Sequence, residues 1–229
     1  MNVRSNFGTR ATAWLVAAIP LAAAAPLIAV LALAAIQPAA ADAGAAVAET
    51  KASQAALTPA DAKARLIAGN DRFVKGELKS RDLMAQVEAT ASGQYPFAVV
   101  LGCIDSRVPP ELVFDQGIGD IFSARVAGNF VNSDILGSME FATAVAGSKL
   151  IVVLGHSACG AVKGACDGVE LGHLTHTLSN IAPAVYATEV EGERSSKNTA
   201  FVDAVTRKNV ELTVANITER SAVIRDLVA

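Results

Sequence analysis

The chain has 229 residues, enough for one domain of ordinary size together with a targeting segment. Its formal net charge of -3 excludes the concentrated basic face that a nucleic-acid-binding domain needs. The three cysteines are too few for a disulfide framework. The hydrophobic fraction of 52% is inflated by alanine and by the N-terminus, so it does not indicate a multi-spanning membrane protein.

Residues 1–41 have the layout of a secretory signal. Arg4 and Arg10 form a positively charged n-region, residues 11–36 are uncharged and apolar, and small residues at 39–41 provide an Ala-x-Ala cleavage site. The apolar run is also long enough to span a bilayer, so a retained anchor is the alternative, although two prolines within it weaken that interpretation. We therefore expect an exported protein, in the bacterial periplasm, that contacts a membrane only if this segment is retained.

The segments before the first strand are expected to be a linker and two helices. Residues 42–57 are rich in alanine and are typical of a flexible linker, and the folded domain is expected to cover 58–229. Thr58 followed by Pro59 predicts a helix start, with an interruption near residues 69–70. A second short helix is expected around 82–90.

Apolar runs at 97–103, 120–127 and 149–154 predict three strands. Helical segments alternate with them, which predicts an α/β fold with a central, mainly parallel sheet flanked by helices. The predicted helices are 109–114, 133–145 capped by Ser133 or Asp134, 159–166 capped by Ser157, 173–190 and 199–228.

Reactive side chains follow two of these strands directly. Cys103, Asp105 and Arg107 come after the first strand, and His156 and Cys159 come after the third. Groups just past the carboxyl ends of parallel strands lie where ligands bind in open α/β sheets. Two thiolates and one imidazole suit zinc and leave a fourth position for water or a carboxylate. The alternative is that the cysteines are small core residues.

The remaining polar candidates each have a plain structural interpretation. Asp105 and Arg107 form either a surface ion pair or a pair in which Arg107 holds Asp105 to orient a water or to become the fourth ligand. Cys166 is expected in the core. His173 and His176 are expected on the solvated surface, with a proton-shuttle role as the alternative.

These motifs together resemble the β-class carbonic anhydrases. The resemblance covers residue 58 to the C-terminus and implies a zinc lyase, with one Zn²⁺ per chain, that interconverts carbon dioxide and bicarbonate. It also implies a homodimer or tetramer with an N-terminal helical arm around the partner. The matching motifs are Cys103-x-Asp105-x-Arg107, His156-x-x-Cys159, Gln94-x-Pro96, Gly119-Asp120-Ile121-Phe122, Arg125-Val-Ala-Gly128-Asn129 and Gly155-His-Ser-x-Cys-Gly160.

The resemblance also implies roles for single residues. It assigns zinc to Cys103, His156 and Cys159, and assigns the catalytic dyad to Asp105 and Arg107, with Asp105 as fourth ligand in a closed form. Zinc-bound hydroxide would be the nucleophile, and because two thiolates offset the charge of the ion, activity would rise with pH into the alkaline range. Substrate contacts are implied for Gln94, Phe122, Phe141 and the Gly160 amide.

Two departures from the family pattern stand out in the sequence. Family members usually continue past the last helix into another strand, whereas this sequence stops at Ala229. Val100 occupies the position of a Trp in members regulated by bicarbonate at a second site, so no such regulation is expected.

Three other functions remain as alternatives. A hydrolase of carbonyl sulfide or carbon disulfide would use the same ligands. A non-catalytic zinc-binding scaffold would bind the metal without hydrating carbon dioxide. A thiol redox protein is disfavoured because the chain has no Cys-x-x-Cys motif.

Overall fold

A computed structural model describes the backbone of residues 14–20 and the whole of residues 47–229. Within these ranges, four strands form one sheet in the order β1-β4-β2-β3. The strands are β1 (Trp14–Pro20), β2 (Ala98–Gly102), β3 (Ile121–Arg125) and β4 (Leu150–His156). Strands β2, β3 and β4 are parallel, and β1 pairs antiparallel to β4. The predicted α/β fold with a mainly parallel sheet is confirmed.

Helices cover both faces of the sheet, and for this reason every residue of β2 and β4 is buried. One face packs on α2 and α4, where Leu66 and Val113 join the apolar side chains of the strands. The other face packs on α5, α9 and α10, where Val210 and Ile224 belong to a second cluster. The helices are α1 (Lys51–Ala56), α2 (Pro59–Lys75), α3 (Leu83–Thr90), α4 (Pro110–Val113), α5 (Ser133–Glu140), α6 (Gly160–Cys166), α7 (Gly172–Ser179), α8 (Ala182–Ala187), α9 (Thr199–Arg220) and α10 (Ala222–Val228).

The N-terminal helices are more ordered than the sequence suggested. Helix α1 lies within the expected linker, and its Gln54 side chain donates hydrogen bonds to the carbonyls of Pro96 and Ala146, both at 2.8 Å. Thr58 caps α2 as predicted, in a reciprocal capping box with Asp61. The segment before the first predicted strand is therefore anchored to the sheet rather than flexible.

The expected interruption of α2 near residues 69–70 is wrong. The helix is continuous because both residues pack against the end of α4 and the residue that follows it. A Cβ on Gly69 would lie 1.7 Å from the carbonyl oxygen of Phe114, and the Asn70 amide donates to the Val113 carbonyl at 3.0 Å. Glycine here permits close approach of two backbones.

Two helix caps differ from the predicted ones. Asn132, rather than Ser133 or Asp134, caps α5, accepting a hydrogen bond from the Ile135 amide. Cys159 occupies the position before α6, without a side-chain cap from Ser157. Helix α5 then continues into one π-helical turn, Phe141–Val145.

The two long C-terminal helices are each divided. The predicted helix 173–190 is α7 and α8, with Pro183 in the first turn of α8. The predicted helix 199–228 breaks at Ser221, whose extended backbone ends α9 and whose hydroxyl caps α10. No described helix has both the length and the apolar character required to cross a membrane.

The expected export segment lies outside the described residues except for β1. Seven of its residues pair with β4 along the whole strand, from Trp14 opposite His156 to Pro20 opposite Leu150. Helices α9 and α2 approach this strand. Cleavage after residue 41 would remove it, and cleavage itself stays a prediction.

Candidate metal centre

The carboxyl ends of β2 and β4 bring the three expected metal ligands together. Cys103, His156 and Cys159 are all buried, and their donor atoms lie within 4.8 Å of one another. Cys103 directly follows β2, and His156 is the last residue of the neighbouring parallel strand β4. The cluster therefore forms at the edge of the sheet that the sequence predicted, at the carboxyl ends of two parallel strands.

His156 is oriented by its own backbone neighbour. Nδ1 lies 3.0 Å from the carbonyl oxygen of Ser157, which can only accept a hydrogen bond, so Nδ1 is the protonated nitrogen. Nε2 then carries the lone pair, and it is buried without a hydrogen-bond partner. A buried, unpaired nitrogen beside two sulfur atoms is what a metal site requires, because an unsatisfied polar atom is otherwise costly.

The two thiols interact directly. Their sulfur atoms are 3.9 Å apart. The hydrogen bond with Cys159 lowers the pKa of Cys103, whereas the same contact, together with burial, raises the pKa of Cys159. The backbone amide of Gly128 adds a hydrogen bond to Cys103 Sγ at 3.3 Å.

These features fit zinc. The donor set is two sulfurs and one imidazole nitrogen, which is soft and suited to tetrahedral coordination. Cys103 and Cys159 would bind as thiolates and His156 as the neutral imidazole through Nε2.

Asp105 and Arg107 form a close pair at the rim of this cluster. The Asp105 carboxylate accepts hydrogen bonds from Arg107 Nε at 2.8 Å, Nη2 at 2.7 Å and the backbone amide at 3.0 Å. These bonds hold the pKa of Asp105 well below its usual range. Asp105 Oδ2 is 3.9 Å from His156 Nε2, yet Asp105 does not belong to the compact ligand group. In this arrangement Arg107 holds the carboxylate, so Asp105 would not be a ligand, and a fourth ligand of a bound metal would have to come from another group.

The expected substrate residues Phe122 and Phe141 line a cavity that lacks the metal ligands, whereas Gly160 directly follows Cys159 in the chain. Phe122 and Phe141 pack edge to face with ring centroids 6.2 Å apart. Both line a cavity of about 710 Å³ between β3 and α5, whose lining includes none of the three metal ligands. Gln94 and Gly160 are exposed on the single chain. The structure thus brings the two phenylalanines together but does not bring all four residues to one pocket.

The other candidates have surface or core positions. His173 and His176 are both exposed on α7, in keeping with the solvated-surface interpretation. Cys166 is half-buried against the helical cluster that contains Cys159 and Phe201. Cys166 therefore packs at the margin of the core, where a core position was expected.

Two contributors were not identified from the sequence. Gly128 supplies the amide that contacts Cys103, and Arg125 donates to the carbonyls of Cys103 and Asp105. Both belong to the motif at the carboxyl end of β3. The sequence did indicate that this motif lies at the end of a strand. It could not indicate which amide and which guanidinium reach the Cys103 loop, because that depends on the register between β2 and β3.

Comparisons with known proteins point to one family. A family model described as carbonic anhydrase matches residues 98–229. Carbonic anhydrase 2 of Mycobacterium tuberculosis is 38% identical over 167 residues, covering 70% of this chain and 78% of that protein. The carbonic anhydrase of Mycolicibacterium smegmatis is 38% identical over 158 residues, covering 68% and 76% respectively. The solved structure of the beta-carbonic anhydrase CcaA aligns with a TM-score of 0.51 at 26% identity, covering 72% of this chain and 76% of that one.

Proposed function

Because the chain belongs to the β-class carbonic anhydrases, we propose that it is a zinc lyase that converts carbon dioxide and water to bicarbonate and a proton, and back. The observation that carries the proposal is the buried group of Cys103, His156 and Cys159, in which Nε2 of the histidine has no other partner. Zinc bound there would act as a Lewis acid and lower the pKa of a water ligand toward neutrality.

Asp105 and Arg107 would prepare the attacking water. Since Arg107 keeps the Asp105 carboxylate ionised, that carboxylate can only accept hydrogen bonds. An acceptor fixed at the rim of the cluster would orient the O–H of the nucleophile and leave its lone pair directed at the carbon of carbon dioxide. Arg107 Nη2 also lies 3.5 Å from the Ala158 carbonyl, which links the dyad to the loop that carries Cys159.

The substrate side of the site would be completed in a homodimer. Carbon dioxide is small and apolar, and Phe122 and Phe141 offer an apolar surface on the edge strand β3 and the adjoining helix. Phe141 is 51% exposed on the single chain, a large exposure for an aromatic side chain that lines a cavity. A second copy covering this face would enclose the apolar surface and bring Gln94 and the Gly160 amide to the substrate. Pairing of two such dimers into a tetramer would use other surfaces.

The proposal is tested with the full chain by stopped-flow carbon dioxide hydration at about pH 8.5 and by zinc analysis of the same sample. We expect activity and about one zinc per chain. Zinc without hydration would contradict the enzymatic function, and hydrolysis of carbonyl sulfide in its place would identify the alternative substrate. Sedimentation velocity on the same sample measures the dimer.

We further propose that the protein is exported, with the apolar segment as its signal. The support is the sequence pattern alone: two arginines, a long apolar run and small residues before Asp42. N-terminal sequencing of the periplasmic protein after expression in a bacterium tests the cleavage. A protein that stays in the membrane fraction with Met1 or a nearby residue at its start would establish the anchor instead.

A further inference from the structure

The loop that carries Cys103 and Asp105 leaves the sheet with little strand support. Pairing between β2 and β3 ends at Gly102 opposite Arg125, and the last ladder bond runs from the Val126 amide to the Gly102 carbonyl at 3.1 Å. Ile104, between the two functional residues, is 63% exposed. The loop therefore needs another source of rigidity if it is to present a thiolate and a carboxylate together.

Arg125 supplies contacts at this point. It is the last residue of β3, and its Nε donates to the Cys103 carbonyl at 2.8 Å while Nη2 donates to the Asp105 carbonyl at 2.7 Å. The two carbonyls flank Ile104, so one planar guanidinium spans the loop. Hydrogen bonds from a charged donor are stronger than neutral ones, and the fork of the guanidinium sets the distance between the two carbonyls.

The charge of Arg125 has no carboxylate partner among the described residues. Arg107, in contrast, binds the Asp105 carboxylate itself. The two arginines thus act on different parts of the same loop: Arg107 holds a side chain and Arg125 holds the backbone.

We propose that Arg125 is a positioning residue that sets the Cys103–Asp105 backbone so that the Cys103 sulfur and the Asp105 carboxylate face the metal position together. The inference rests on the proposed zinc function of the Cys103, His156 and Cys159 group. Without the guanidinium, the two carbonyls would turn toward solvent, and the Cα–Cβ bonds of both residues would turn with them. Small displacements of this kind are costly at metal and catalytic sites.

The test compares Arg125→Met and Arg125→Lys with a matched control, Arg194→Met. Arg194 also donates two hydrogen bonds to main-chain carbonyls, those of Thr188 at 2.7 Å and Val185 at 2.6 Å, and it lies outside the metal centre. Three properties are measured: zinc affinity by competition with a chelator, the absorption spectrum of the Co²⁺-substituted protein, and the urea midpoint of unfolding.

We expect Arg125→Met to weaken zinc binding by about 10- to 100-fold, the usual effect of losing a group that orients a metal ligand. The thiolate-to-cobalt absorption should change as well, because Cys103 no longer holds its direction. Arg125→Lys, which can reach one carbonyl but not both, should recover part of the affinity. Arg194→Met should lower the urea midpoint without changing zinc affinity or the cobalt spectrum.

Wild-type zinc affinity and an unchanged cobalt spectrum in Arg125→Met would overturn the inference, as would an equal loss of affinity in Arg194→Met. If the wild-type protein binds zinc but does not hydrate carbon dioxide, the proposed enzymatic function fails while the affinity and spectral comparison still decides the role of Arg125. A wild-type protein that binds no zinc overturns both.

Discussion

At the scale of single residues, the proposed metal centre would depend on two cysteines that differ from the third only in their surroundings. Cys103 and Cys159 are buried side by side next to the free nitrogen of His156, whereas Cys166 is half-buried and lies outside the compact ligand group. The three thiols are chemically identical, so their position alone separates ligand from core residue.

The first prediction uses this contrast. Cys159→Ser should abolish stoichiometric zinc binding and lower carbon dioxide hydration by at least about 100-fold, because a serine hydroxyl is a poor ligand for zinc beside one remaining thiolate. Cys166→Ser is the control and should keep about one zinc per chain. Zinc analysis and stopped-flow assays on both variants check it, and full zinc content in Cys159→Ser would rule out this ligand set.

Gly128 is constrained in two separate ways. Its φ of +81° lies in the left-handed region, and a Cβ would come within 2.3 Å of Ile181 Cδ1. Gly168 has a similar φ of +63° but open space around it, since a Cβ added there would have no neighbouring atom within 4 Å. The pair therefore separates backbone strain from steric overlap.

We predict that Gly168→Ala destabilises the protein by about 1 kcal/mol, the usual cost of a left-handed alanine. Gly128→Ala should cost about 1 to 3 kcal/mol more, because the methyl group must displace Ile181. Urea denaturation of both variants measures the difference. Equal losses of stability in the two variants would mean that the Ile181 side chain moves aside at no cost and that only the backbone conformation requires glycine.

At the scale of secondary-structure elements, Asp115 joins the end of α2 to the segment that follows α4. Its side chain is 2% exposed and forms ion pairs with Arg72 of α2 and with Arg81. The Lys79 amide adds a hydrogen bond. Burial by itself would raise the pKa of Asp115, but the hydrogen bonds from Arg81 and Arg72 outweigh it and leave the pKa below its usual value.

This cluster predicts an acid-sensitive contribution to stability. Because the pKa of Asp115 is lower in the folded state than the unfolded value of about 3.9, its contribution is present above that pH and is lost as the pH falls through the folded pKa. Asp115→Asn should cost about 2 to 4 kcal/mol at neutral pH, since it leaves two arginines without their carboxylate, and should flatten the loss of stability toward low pH.

Urea denaturation at several pH values between neutral and acid measures this effect. Asp226→Asn is the control, because that carboxylate is exposed on α10. A variant at Asp115 that loses stability on acidification as steeply as the wild type would contradict the assignment.

At the scale of the whole molecule, the sheet has two different edges. Strand β3 is one edge and lies beside the exposed apolar surface of Phe141, where a second copy is proposed to bind. The other edge is closed by β1, which pairs with β4 over seven residues. An unpaired edge next to a buried strand invites association with other chains.

We predict that a chain without residues 1–46, which is close to the form that cleavage after residue 41 would leave, is less stable than a chain that keeps β1 and self-associates through the edge of β4. This removes the backbone pairing of seven residues, and because each intramolecular hydrogen bond contributes about 1 kcal/mol, the loss should be about 2 kcal/mol or more. Urea denaturation and sedimentation velocity compare this form with a chain that begins at Trp14 and keeps β1. Identical urea midpoints and identical sedimentation of the two forms would show that β1 contributes no stability.

The fold class and the ligand set could be predicted from the sequence because both depend on local patterns. Apolar runs ending in glycine predicted β2, β3 and β4, and the soft side chains directly after them predicted the metal centre. Helix boundaries were less predictable: Gly69 suggested a break in α2 but instead allows contact with the Phe114 carbonyl, and Ser221 breaks a run that was expected to be one helix. Helix propensity is a local property, so it does not predict boundaries that are set by such tertiary contacts.

The sequence by itself determined which donors follow which strands, because residue order and apolar periodicity are local properties of the chain. Only the tertiary structure decided that β2 and β4 are neighbours, that His156 Nε2 has no other partner, and that Arg125 reaches the carbonyls on both sides of Ile104. It also decided that the two phenylalanines line a cavity separate from the metal ligands. These facts depend on strand order and register, which are set by packing between residues far apart in the chain.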